Sequence, residues 1–270
     1  MTEDTTTVPE STPVELRGVR FALTDSGEGP VVLDAHGLSA SRANARAMGL
    51  DFAEVASRGH RLVSYDARGH GRSSGTKDPD DYTWASLATD LLALADHFSP
   101  DAPVGAIGSS MGTGTILHAA LRRPDRFDRL VLTAPPTAWD TRAPQAGVYR
   151  QMADFVEANG AGALAGMMGQ APIPPVFQGL ASFPPLPDIA EALLPTVFRG
   201  AGRADLPPLE ALAAITQPTL ILAWTDDPGH PLISAERLVA TLPNAVLEIA
   251  ATHEEFLTWG HRAAEFVTAS

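Results

Sequence analysis

Short apolar runs alternate along this chain with longer stretches whose apolar residues recur every third or fourth position. Residues 31–36, 61–66, 103–107, 130–133, 219–224 and 245–249 read as strands. Several are almost unbroken in their hydrophobicity, the pattern of strands covered on both faces. Residues 14–24 read as the opening strands, followed by a turn at 25–30. Helical spacing marks 41–57, 84–98, 113–121, 234–241 and 254–267. The alternation predicts an α/β fold, a mostly parallel central sheet with helices on both faces. After Ala134 the rhythm breaks. Residues 135–208 are rich in Pro, Gly and Ala, with helical spacing only at 143–159 and 161–168. They predict a small helical lid inserted after the sixth strand. The expected organisation is a flexible tail at 1–13, a core formed by 14–134 and 209–270, and the lid between them. Asp34, inside a strand read as buried, requires a polar partner.

Composition narrows this picture. A chain of 270 residues with 44% hydrophobic and 19% charged residues suits one large domain carrying an insertion. The formal charge of −13 argues against nucleic acid or an anionic membrane as partner, since phosphate binding needs a basic surface. With no cysteine, disulfides, a thiol nucleophile and thiolate metal sites are excluded. The first ten residues are acidic and lack an apolar core, unlike a signal peptide, and no apolar run approaches a membrane span. The expectation is a soluble, cytoplasmic protein.

Candidate chemistry centres on Gly108-x-Ser110-x-Gly112, between a strand-like and a helix-like stretch. A serine on so sharp a turn crowds the residues two before and two after it, where side chains must be absent or tiny. An open parallel sheet places its ligand site at the carboxyl ends of its strands. His36-Gly37-Leu38, Ser110-Met111, Asp226-Asp227 and His253 fall there on this reading. A serine hydroxyl needs a base, most often histidine, and the base needs a carboxylate to orient it.

These stretches, together with Asp66-x-Arg68-Gly-His-Gly-x-Ser73 and the placing of Asp227 four residues before Pro231, resemble the α/β-hydrolases over residues 31–270. The resemblance implies Ser110 as nucleophile, His253 as base and Asp227 as acid, with the backbone N–H groups of Leu38 and Met111 as oxyanion hole. His230 is the rival base, set aside because it precedes the last strand; Asp226 is the rival acid. Asp66, Arg68 and Arg72 are read as a loop-stabilising ion-pair set rather than an anion site. The lid carries Trp139, Met152, Phe155, Met167, Met168, Phe177 and Phe183. Of these, Trp139, Met167, Met168 and Phe177 are the candidate substrate-binding residues. The implied activity is cleavage of a small carboxylic ester or lactone, similar to the small-lid esterases and enol-lactonases, with no cofactor and no metal. A C–C bond hydrolase and a cofactor-free perhydrolase would use the same triad, and a low-turnover binding or receptor protein would keep the fold without the rate. Haloalkane dehalogenases and epoxide hydrolases carry Asp where this chain has Ser110.

Overall fold

In the computed structural model, which describes residues 12–170, 173–178, 180 and 185–269, the strand-like runs assemble into one seven-stranded sheet. Its strands are β3 (Leu23–Ser26), β4 (Val31–Ala35), β5 (Arg61–Tyr65), β6 (Val104–Ser109), β7 (Phe127–Thr133), β8 (Thr219–Trp224) and β9 (Ala245–Ala250). They lie in the order β3-β5-β4-β6-β7-β8-β9. Only the edge strand β3 runs antiparallel to its neighbour. A separate hairpin of β1 (Val14–Leu16) and β2 (Val19–Phe21) precedes the sheet. The opening stretch therefore yields three strands, because Arg17 and Gly18 both take positive φ and turn the chain. The insertion accordingly follows the seventh strand in chain order rather than the sixth. Most of the expected tail, residues 1–11, lies outside the described residues.

Period-2 alternation divides the sheet's side chains between two cores. Leu33, Ala106, Leu130, Leu132 and Ile221 join one cluster, with α3 (Trp84–Phe98) and α4 (Met111–Arg122) against it. Val32, Ile107, Val131, Leu220 and Leu222 join the other, under α2 (Glu54–Ser57) and α11 (Trp259–Val267). Each fully buried side chain of this size contributes roughly 1.5–3 kcal/mol, so sheet position is over-determined by both faces. A third cluster belongs to the lid helices α5 (Arg142–Asn159), α6 (Ala161–Met168) and α7 (Leu194–Ala201).

Two long helices expected from spacing are interrupted. Residues 41–57 form α1 (Arg42–Ala47) and α2, separated where Gly49 takes a φ of 95°. Leu50 and Phe52 then turn into the core, and Asp51 pairs with Arg46 and accepts the Ala53 N–H. Likewise 254–267 becomes α10 (His253–Leu257) and α11. Short helices α8 (Leu209–Leu212) and α9 (Leu232–Thr241) flank β8.

From β4 the chain crosses to β5 on one side and returns to β6 on the other. The carboxyl ends of β4 and β6 thus flank the point where strand order reverses, which in open sheets is the ligand crevice.

Asp34 lies on β4 directly beside Ser64 of β5, whose side chain hydrogen-bonds it. Burial pushes this carboxyl up to about 7, the Ser64 bond opposes that, and the charge of Asp51 adds to it. Asp34 therefore stabilises the fold below its ordinary value of 3.8, and that contribution is lost as pH rises towards about 7. Asp34→Asn keeps the side chain neutral at every pH. Its urea midpoint should match the parent near pH 4, exceed it increasingly up to pH 7 and level off above. A variant no more stable than the parent at pH 8 would contradict this.

Candidate active site

Ser110 sits between β6 and α4 with φ 51° and ψ −104°, a strained conformation for a residue with a side chain. The flanking glycines are required by space. A Cβ on Gly112 would stand 2.0 Å from the Ala35 carbonyl oxygen, and one on Gly108 2.5 Å from Ile116 Cδ1. The Ser110 N–H donates to the Thr133 carbonyl (2.9 Å), tying the turn to β7. Met111 opens α4, where the first N–H groups lack an intrahelical acceptor. From the neighbouring strand β4, Gly37 comes so close that a Cβ there would lie 3.4 Å from Ser110 Cβ. That loop is pinned by His36. Its Nε2 accepts the Ala67 N–H (2.9 Å), so the proton is on Nδ1, which donates to the Gly37 carbonyl (2.8 Å). Burial pushes His36 down to about 4, keeping it neutral.

The histidine that meets Ser110 is not the one expected there. His230 Nε2 lies 2.8 Å from Ser110 Oγ, and its Nδ1 lies 2.7 Å from Asp227 Oδ2. A carboxylate only accepts, so Nδ1 carries the proton and Nε2 accepts from the serine hydroxyl. His253 sits elsewhere: it begins α10, and its Nδ1 bonds the Val176 carbonyl (2.7 Å), in a turn at Pro175–Phe177. The assignment of His253 is thus corrected by placement. Its physical reason is local: Asp227-Pro228-Gly229-His230 is one tight turn. The His230 N–H donates to the Asp227 carbonyl (3.1 Å), and the Gly229 N–H to Asp227 Oδ1 (2.8 Å). Asp227 and His230 are brought together by three residues of sequence rather than by an extra strand. The sequence signal for this proximity is Asp227-Pro-Gly-His-Pro231, a turn-forming stretch with acid and histidine three residues apart.

Burial would raise the Asp227 carboxyl. The His230 hydrogen bond and charge, with donation from Gly229 and the Trp224 indole, outweigh this and hold it at about 2. Asp226, by contrast, is exposed and has a φ of 62°.

Beside Ser110 opens a cavity of about 280 Å³, with Leu38, Met48, Leu50, Met152, Phe198 and Trp224 among its walls. Among the described residues lining it, Asp227 and His230 are the only charged or titrating groups apart from the Tyr149 phenol. No group of three or more His, Cys, Asp or Glu is placed to hold a metal ion among the described residues.

Comparison with known proteins agrees with this fold. The alpha/beta hydrolase fold family model matches residues 30–161. A putative carbamate hydrolase, RutD, of a Caulobacter species is 30% identical over 210 residues, covering 70% of this chain and 72% of that protein. The chain belongs to the α/β hydrolase fold family. An epoxide hydrolase of Caballeronia sordidicola is 34% identical over 127 residues, 47% of this hydrolase, but the match spans only 37% of the relative's own length. The enol-lactonase structure from Burkholderia xenovorans superposes with a TM-score of 0.74 at 23% identity, covering 96% of each chain; at that identity it speaks for the fold.

In this α/β hydrolase the lid residues divide. Met168 and Phe177 line the cavity. Trp139 does not: its indole donates to the Pro207 carbonyl (2.9 Å) and it packs against the main core. Met167 is 47% exposed and also lies outside the lining. Helical spacing could not say which side of the lid faces the serine. Phe183 lies outside the described residues. The Asp66 loop holds its ions internally, with Arg68 forked onto Asp90 (2.9 Å for each bond) and Arg42 on Asp66. Among the described residues no helix is long and apolar enough to cross a membrane.

The two adjacent aspartates can be told apart by rate. Asp227→Asn should lower kcat by about 10⁴ with little change in KM, since it loses both imidazole orientation and charge. Asp226→Asn should leave kcat near the parent's. Steady-state kinetics of the two purified variants check this, and the reverse ranking would move the acid to Asp226.

Proposed function

We propose that this α/β hydrolase is a serine hydrolase that cleaves an uncharged carboxylic ester or lactone through an acyl-enzyme on Ser110. The observation that carries the reading is the single imidazole of His230 bonded at once to Ser110 Oγ and Asp227 Oδ2. In this reading His230 Nε2 takes the hydroxyl proton as Ser110 Oγ attacks the carbonyl carbon. Asp227, ionised throughout, stabilises the resulting imidazolium. The negative oxygen of the tetrahedral intermediate is held by the N–H groups of Leu38 and Met111. His230 then returns the proton to the departing alkoxide, and water, activated by the same nitrogen, releases the acid.

The limit to uncharged substrates rests on where the nearby cations are spent. Arg142 is buried, donating to the Ala201 and Ala204 carbonyls and lying 4.3 Å over the Trp84 ring. Arg199 pairs with Asp154 and Glu157, Arg203 with Asp80, and Arg42 with Asp66. Arg150 is exposed. Among the described residues none of these arginines lines the cavity, so a substrate carboxylate held there would be desolvated without a partner. The relatives named as acting on carbamates, epoxides and enol-lactones show how widely this fold is used; the pocket chooses among such chemistries.

Matched substrates test the reading. A lactone or ester carrying a methyl-ester side group should be turned over with kcat/KM at least about 100-fold above its free-acid twin, the cost of an unpaired buried charge. Intact-mass analysis after an acid quench should show the acyl group on Ser110. A preference for the free acid would overturn the uncharged-substrate reading, and turnover by Ser110→Ala at the parent rate would overturn the mechanism.

A further inference from the structure

Resting on the proposed triad, we propose that Trp224 is a positioning residue of the site, its indole N–H holding the Asp227 carboxylate in the plane from which it grips His230. Trp224 ends β8, three residues before the acid. Its Nε1–H donates to Asp227 Oδ2 at 3.1 Å, the same oxygen that accepts His230 Nδ1–H at 2.7 Å. Oδ1 meanwhile takes the Gly229 N–H at 2.8 Å. Three donors from three directions leave the carboxylate one rotamer. Without the indole, Oδ2 keeps its charge but loses the contact that fixes its angle, and the imidazole ring turns with it.

The indole is itself immobilised. It stacks on Trp259 of α11 with rings 8° from parallel and centroids 5.2 Å apart. Phe177 of the lid and Phe256 of α10 meet it edge-on, at 4.8 and 5.8 Å. The His230 ring lies at 81° to it with centroids 5.4 Å apart. Trp224 is 4% exposed, and a charge-assisted hydrogen bond from so buried a side chain is stronger than one at a surface. One side chain thus touches the acid, the base and the substrate cavity, and joins them to α10, α11 and the lid.

The test separates this N–H from the ring that carries it. Replacing Trp224 by 3-benzothienylalanine puts sulfur where the N–H was and keeps the ring's shape. The variant should lose about tenfold in kcat, the value of a hydrogen bond to a charged group, while KM on an uncharged ester stays at the parent's. Trp224→Phe should lose at least as much in kcat and also change KM, because it reshapes the cavity wall. Parent kcat in the benzothienyl variant would overturn the proposal and leave Trp224 as a wall only. Ser110→Ala under the same assay guards the underlying reading: if it too kept parent kcat, the proposed triad itself would fail, a result distinct from failure of the Trp224 role.

Discussion

Two hydrogen bonds on one imidazole hold the proposed catalytic arrangement together, and both depend on the four-residue turn from Asp227 to His230. The turn leaves β8 at its carboxyl end, where the Trp224 indole and the Gly229 N–H orient the acid. The base then stands one turn away from it, aimed at Ser110. On the opposite side Ser110 is held up by a strained φ that costs of order 1–3 kcal/mol and survives only because β6, α4 and the Thr133 carbonyl fix its surroundings. Neither half works alone. A relaxed serine would drop out of reach, and a loosened turn would leave a buried carboxylate without its hydrogen-bond partner.

Burial decides which groups near the site carry charge. His36 and His70 are both completely buried and both pushed down, to about 4 and about 3, so they act as neutral hydrogen-bonding posts. His36 fixes the loop that carries Leu38; His70 donates from Nδ1 to the Arg68 carbonyl (2.9 Å). The buried Arg68 is matched by the buried Asp90. Among the described residues lining the cavity, the charged side chain is that of Asp227, bonded to His230. This division gives an apolar chamber with one polar corner, the setting in which a few oriented dipoles have large effects on a developing oxyanion.

Much of this was legible in the sequence. Near-continuous apolar runs gave away a parallel sheet, because strands covered on both faces need no polar side. The glycines at 108 and 112 marked the strained serine, because no other residue fits against Ile116 and the Ala35 carbonyl. Asp227 was legible from its distance to Pro231. Other features were hidden for identifiable reasons. The break at Gly49 depends on Leu50 and Phe52 finding the core, a tertiary event that helical spacing cannot report. Which lid face meets the serine depends on packing among α5, α6 and α7, which separates Met168 from Met167 although they are neighbours. The histidine that meets Ser110 was not legible from order along the chain, which points to the loop after β9. A histidine three residues after an acid, across a Pro-Gly turn, is within reach of it whatever strand follows.

The identity of that base is the central claim, and a comparison of two alanine variants tests it most directly. Both His230→Ala and His253→Ala should remain folded by circular dichroism. The rate at which a fluorophosphonate labels Ser110 should collapse in His230→Ala, by about 10³ or more, and recover in part when free imidazole is added. His253→Ala, which loses its tie to the Val176 carbonyl and its ring contact with Phe256, should label at close to the parent rate. Rapid labelling of His230→Ala together with loss of labelling in His253→Ala would contradict the account and return the base to the loop after β9.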